Sequence, residues 1–185
     1  SAIKPNFDNI DSKLYEKYSD YLSDNKKQYI VGATGCKLSH LSIIKDALKN
    51  NYENILIFED DITFIDNFTI YLNDFISKVS TMNWDMLYLG GNVAKVKFSK
   101  FKDYLIQTNR TNIYKCKNFK CTHAYIINKK LFIKIIKDLE TYNSEIDNYY
   151  SNCIQPYFNT FTYEFNLVKQ RETFSNITQK IDKVF

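Results

Sequence analysis

Three consecutive carboxylates, Glu59-Asp60-Asp61, follow the apolar run Ile55-Leu56-Ile57-Phe58, and Ile62 closes the stretch. The β-branched and aromatic run is too short for a helix core and predicts a buried strand. A central parallel strand would carry the acids at its carboxyl end, where open α/β sheets bind ligands. Adjacent carboxylates repel one another, and ionised acids beside a buried strand lose solvation; a divalent cation offsets both costs. Side chains alternate along a strand, which sets Glu59 and Asp61 on one side and Asp60 on the other. Mg²⁺ or Mn²⁺ takes hard oxygens, commonly one or two carboxylates with substrate phosphates. The expectation is a metal and nucleotide-phosphate site. Asp61 is its direct ligand, Glu59 contacts the nucleotide, the metal or a metal-bound water, and Asp60 supports them or exchanges roles if the strand bends.

The flanking elements must position this strand end. Gly32-Ala33-Thr34-Gly35 opens a predicted helix over about 36–50, with Leu38, Leu41, Ile44 and Leu48 on its inner face. A Gly-rich turn before a helix can bind phosphate through its free N–H groups, and a plain helix start explains it equally well. His40 lies off the Leu38/Leu41 stripe. An earlier helix is expected over Ser12–Asp24, behind an extended lead-in, and the run Tyr29-Ile30-Val31 ends at Gly32. After the acids, Ile65–Val79 reads as a helix with Asp66 as its cap. Trp84–Leu89 reads as a second buried strand ended by Gly90-Gly91-Asn92, glycines that would admit a ligand close to the backbone. Short runs near Leu105 and Ile113 predict a hairpin on one edge, Thr122–Ile127 a strand, and Lys129–Leu139 a helix. Ser144 caps a further helix that carries Glu145 and Asp147 in its first turn, where dipole complementarity alone would favour acids. Phe161–Phe165 alternates as a strand, and Val168–Phe185 reads as a polar tail. No repeat, linker or second domain is visible, so residues 1–185 read as a single domain.

Composition narrows the function. A chain of 185 residues with 44% hydrophobic and 25% charged residues is long enough for one real core. A net charge of +4 suits a phosphate-bearing ligand and is far from a nucleic-acid footprint, so no nucleic-acid partner is expected. The densest basic stretch, Lys95, Lys97, Lys100 and Lys102, reads as a solvated surface. The four cysteines form no C-x-x-C pair, and two histidines are too few for a zinc set, so free thiols are the default. No transmembrane run and no signal-peptide core occur in this chain, which points to a cytoplasmic or membrane-peripheral setting.

Gly35-Cys36-x-x-Ser39-His40 followed by Ile55–Ile62 resembles glycosyltransferase family 25, which includes lipopolysaccharide β-galactosyltransferases and procollagen galactosyltransferases. Trp84-Asp85 with Leu87, Thr122-x-x-Tyr125-Ile126-Ile127, Ile146-Asp147 and Ser175-Asn176-Ile177 continue the resemblance in order, over about residues 30–180, with 1–29 as lead-in and helix. The resemblance implies an α/β, GT-A-like fold with a mainly parallel sheet flanked by helices. It implies a UDP-sugar donor, Mn²⁺ or Mg²⁺ at Glu59-Asp60-Asp61, and transfer of a hexose, galactose or glucose, with inversion. The acceptor would be a glycan, a lipid-linked sugar or a hydroxylysine-like protein group. In that chemistry a metal neutralises charge on the leaving diphosphate, and a carboxylate takes the acceptor proton. Asp147 matches the late acidic motif and is the candidate base, with Glu145 as fallback. His40 lines the donor pocket on this reading, and Gly90 lies beside it. His123 is a further candidate to face the site, and Lys169 and Arg171 are candidate diphosphate contacts. Family members usually begin with a strand and a motif resembling N-L-x-x-R-x-x-R; Ser1-Ala2-Ile3 match the segment after it, so the first β-α unit is expected to be missing. Two other readings compete: a non-catalytic nucleotide-sugar or glycan-binding relative, and a Mg²⁺-dependent phosphohydrolase.

Overall fold

The structure, a computed structural model, describes residues 3–6, 10, 24–93 and 105–171. The helix expected before Asp24, the basic stretch at 95–102 and the tail beyond Arg171 lie outside these residues.

Helix α1 spans Asp24–Lys49 without interruption. Tyr29–Val31 and both glycines of the expected turn are therefore helical, and the phosphate-binding turn is not formed. A helix-interior glycine costs about 1 kcal/mol against alanine. The cost is outweighed because the buried stripe Ile30, Thr34, Lys37, Leu41, Ile44 and Ala47 runs through both positions at helical spacing. Gly35 has a packing role: a Cβ there would stand 2.4 Å from the Ile3 carbonyl oxygen. The N-terminal segment crosses the helix at this point, and the Ile3 N–H donates to Ser39 Oγ.

Strand β1 (Asn54–Phe58) is followed by β2 (Ile62–Phe64), α2 (Phe68–Val79), β3 (Met86–Val93), β4 (Leu105–Gln107), β5 (Ile113–Cys116) and β6 (Phe119–Asn128). A 3-10 turn at Lys129–Leu131 leads into α3 (Phe132–Leu139). The short α4 (Ile146–Tyr149) runs on as a π turn over Tyr150–Ile154, and β7 (Thr160–Tyr163) and β8 (Val168–Gln170) follow. Asn67 in the left-handed region, φ 57°, precedes α2 in place of the expected Asp66 cap. Glu145, not Ser144, stands before α4.

The main sheet has the order β1-β6-β3-β7-β5-β4. Among the described residues only the β3/β7 pairing is parallel; β1/β6, β3/β6, β5/β7 and β4/β5 are antiparallel. Among the described residues the sheet is mixed, not mainly parallel, and the acidic strand stands at its edge rather than at its centre. One of the strand's faces is also uncovered: Leu56 is 45% and Phe58 37% exposed, while Ile57 on the opposite face is buried. The hairpin expected near residues 105–114 is present as β4/β5, on the far edge.

Alternation along β3 divides the core between two faces. Met86 and Tyr88 join Ile57, Tyr125 and Ile127 under α1, α3 and α4. Leu87 and Leu89 join Phe161 and Tyr163 under Phe75 and Val79 of α2. Against β6, strand β3 slips register between Tyr88 and Gly90 and again before Asn92, and Cys121 on β6 takes φ 73°. Such bulges re-aim side chains. β3 does not end at Gly90 but runs through it. A Cβ at Gly90 would lie 2.1 Å from the Val168 carbonyl oxygen and 2.3 Å from His123 Nε2. This glycine admits the β8 backbone and a histidine. Gly90→Ala is expected to destabilise the fold by about 3 kcal/mol or more, the upper range for overpacking. Gly35→Ala should cost less, about 1–2 kcal/mol, because its Cβ meets the Ile3 backbone carbonyl but alanine returns about 1 kcal/mol of helix propensity. Urea unfolding of the two variants checks the contrast.

Candidate active site

Strand β1 stops at Phe58, and the chain turns through Asp60 and Asp61 before β2. The turn breaks the alternation expected across the three acids and gives each a different neighbourhood. Glu59 points beneath α1. Its Oε1 lies 3.2 Å from His40 Nε2, accepts from the Thr122 hydroxyl at 2.9 Å, and lies 3.9 Å from the Cys36 thiol. His40 is 4% exposed, and its Nδ1 meets the Tyr125 hydroxyl at 2.5 Å, which in turn meets Tyr150 at 3.2 Å. Burial pushes the Glu59 carboxyl up, but the hydrogen bond and charge of His40, then the Thr122 hydroxyl, outweigh it and hold it below the ordinary carboxylate range. Burial and the Glu59 charge push the Cys36 thiol up to about 12. His40 thus braces Glu59 from behind the strand end.

Asp61 faces β8 instead. Its backbone carbonyl accepts from the Arg171 N–H at 2.7 Å, and its Oδ2 lies 3.4 Å from Gln170 Nε2. Its Oδ1 is buried and has no hydrogen-bond partner among the described residues. Burial first, then the Glu59 charge, raise its carboxyl above the ordinary range. Asp60 is exposed, and its carbonyl accepts from the Arg171 guanidinium at 2.6 Å. Arg171 therefore fastens the acidic turn to β8, while Lys169 is exposed on β8 opposite Thr63.

Two sets of residues have metal-binding chemistry. Cys36, His40 and Glu59 bring one ligand atom each within 4.8 Å of one another, among the described residues. These atoms already satisfy one another by hydrogen bonding. The Asp61 Oδ1 is the better fit to a hard divalent cation, because it is an anionic oxygen, buried and unpartnered.

The late acids also separate. Glu145 is committed: its carboxylate accepts from the Tyr29 hydroxyl at 2.9 Å, from Asn148 Nδ2 at 2.6 Å and from the Ser144 hydroxyl. Asp147, half-buried in the first turn of α4, lies close enough to raise the Cys36 and Cys121 thiols together with Glu59. Its carboxylate accepts no hydrogen bond among the described residues.

Sequence reasoning missed three contributors. Thr122 stands out in the sequence only as part of a motif. Strand β8 lies inside the stretch that looks like a polar tail. Gln155, 1% exposed, spans the Phe119 N–H and carbonyl with its amide, and so fixes the start of β6. For β8 the only local signal is the apolar pair Leu167-Val168, both fully buried.

A mixed six-stranded sheet flanked by helices, with carboxylates gathered where one strand ends, is consistent with a glycosyltransferase fold. The sequence agrees: residues 1–150 match the family model described as glycosyltransferase family 25 (LPS biosynthesis protein). This chain belongs to glycosyltransferase family 25. It is 39% identical over 61 residues to a Rattus norvegicus protein named "Probable inactive glycosyltransferase 25 family member 3", covering 32% of this chain and 11% of that protein. It is 31% identical over 68 residues to Homo sapiens "Procollagen galactosyltransferase 2", covering 36% of this chain and 11% of the relative. A third match is "Procollagen lysyl hydroxylase and glycosyltransferase" of Acanthamoeba polyphaga mimivirus, 29% identical over 141 residues, 66% of this chain and 15% of that protein. The matched segments are a small fraction of these relatives' length.

Proposed function

We propose that this chain is the donor-binding and transfer domain of a metal-assisted, inverting hexosyltransferase that uses a UDP-sugar. The observation that carries the reading is the unpartnered, buried Asp61 Oδ1 in a chain of this family. Asp61 would hold a divalent cation, Mn²⁺ or Mg²⁺, through that oxygen. Such a cation neutralises the charge that develops on the leaving diphosphate. Glu59, held by His40 and Thr122, fixes the strand end from which the Asp60-Asp61 turn departs. Arg171 ties the same turn to β8. Asp147 has the open carboxylate and takes the proton of the acceptor hydroxyl as its oxygen bonds to the anomeric carbon. The bond from that carbon to the diphosphate oxygen breaks on the opposite face, which inverts the configuration. The acceptor class we propose is a sugar or hydroxylated protein side chain.

The test is differential scanning fluorimetry with UDP, with Mn²⁺, and with both, followed by donor turnover. The two together are expected to raise the melting temperature more than either alone. No shift with any nucleoside diphosphate and metal would count against the reading. The names of several relatives support a second outcome, binding without catalysis. Stabilisation by UDP and Mn²⁺ with neither transfer nor donor hydrolysis would establish it.

A further inference from the structure

Two buried side-chain atoms have no hydrogen-bond partner among the described residues: Asp61 Oδ1 and His123 Nδ1. Leaving a buried polar atom unpaired costs roughly 1–3 kcal/mol, so such atoms are rare and need an explanation. These two belong to one neighbourhood. Asp61 and His123 each feel the other's charge and that of Glu59. Strand β8 anchors both. Its Val168 carbonyl receives His123 Nε2 at 3.1 Å, and two residues on, the Gln170 side chain meets Asp61 Oδ2. Residues two apart on a strand are separated by about 6.6 Å. Both side chains are thus anchored to the same three-residue strand.

The tautomer of His123 follows from its anchor. A backbone carbonyl only accepts, so Nε2 carries the hydrogen. The ring is 4% exposed, and its Nδ1 meets no donor among the described residues. Nδ1 then presents a bare lone pair. An imidazole with one nitrogen donating to a backbone carbonyl and the other unprotonated is the usual state of a metal-ligating histidine. The missing side chain at Gly90 is what lets this ring occupy its place.

We propose that His123, through Nδ1, is a nitrogen ligand to the same divalent cation that Asp61 holds through Oδ1. The inference rests on the metal reading of Asp61 given above and adds a ligand and a selectivity. A site that mixes imidazole and carboxylate favours Mn²⁺ over Mg²⁺ and Ca²⁺, which prefer oxygen alone.

The test is Mn²⁺ binding to the intact chain, using MnCl₂ with no nucleotide. Free Mn²⁺ is read by continuous-wave EPR and the ligands by electron spin-echo envelope modulation. Wild-type protein is expected to bind one Mn²⁺ and show modulation from a directly coordinated ¹⁴N. His123→Gln can still donate to the Val168 carbonyl; it should lose the nitrogen signal and bind Mn²⁺ at least about 10-fold more weakly. Circular dichroism checks that this variant is folded; if it is not, Asp61→Asn takes its place and must remove the nitrogen signal together with the Mn²⁺, because the other imidazole beside a carboxylate, His40, belongs to the Cys36 and Glu59 set and would keep it. Mn²⁺ bound without nitrogen modulation overturns the His123 assignment and leaves the metal reading of Asp61 standing. An absence of Mn²⁺ binding at millimolar concentration overturns both.

Discussion

Asp61→Asn is expected to abolish Mn²⁺ binding and slow sugar transfer by about 10³-fold or more, while the metal-free fold becomes no less stable. The two effects have opposite signs for one reason. The Asp61 carboxylate sits partly buried beside Glu59, with one oxygen unpartnered, so the metal-free protein bears an uncompensated cost there. Asparagine removes the charge and the repulsion. It also removes the anionic oxygen that a cation needs, and the lost stabilisation of the leaving diphosphate is several kcal/mol, at tenfold in rate per 1.36 kcal/mol. The pH dependence has a definite sign. The folded-state pKa of Asp61 is raised, so between the unfolded value and that raised value the folded state holds more protons. Metal-free stability contributed by this group is present below the unfolded pKa and falls as pH rises through the folded one. The Asn variant should lack this slope. Mn²⁺ competes with the same proton, so wild-type affinity for it should climb over the same window. Urea unfolding against pH, with and without Mn²⁺, reads all of this; a destabilised metal-free variant would contradict it.

The chemistry-bearing residues were easier to read than the sheet that carries them. Glu59-Asp60-Asp61 behind four apolar residues marks a strand end in any register, and the helix bearing Cys36 and His40 announces itself by its stripe. Strand direction has no such local mark. A continuous apolar run fits a strand buried on both faces, yet Leu56 and Phe58 are exposed and β1 has one partner among the described residues. The division of labour among the acids was hidden for a different reason. Alternation holds only while the strand lasts, and β1 ends one residue before Glu59. Strand β8 is three residues long, and its pairing of Ile62 with Gln170 joins distant parts of the chain. Short non-local pairs leave no periodicity to detect, although this one supplies the anchors for both Asp61 and His123.

If Glu59 is a brace and not a ligand, its variants must separate stability from metal binding. His40→Ala leaves the Glu59 carboxylate under α1 without its main partner. Breaking a buried pair costs about 3–5 kcal/mol, and since the Glu59 side chain is 24% exposed the low end, roughly 3 kcal/mol, is expected. Glu59→Gln retains an oxygen for Thr122 and should cost less, about 1–2 kcal/mol. The double variant should cost less than the sum, with a coupling of roughly 1–3 kcal/mol, because the second change removes the charge that the first strands. Because Glu59 is held below the ordinary carboxylate range, its stabilising contribution is present above the unfolded pKa and lost as pH falls through the folded one. His40→Ala should erase that acid-side loss. Metal binding then discriminates the roles. Glu59→Gln should weaken Mn²⁺ affinity by no more than about 10–100-fold, the range for a group that acts through its neighbours, whereas Asp61→Asn abolishes it. Equal loss in both variants would make Glu59 a ligand, and the His40 contact would then hold it in readiness for the cation.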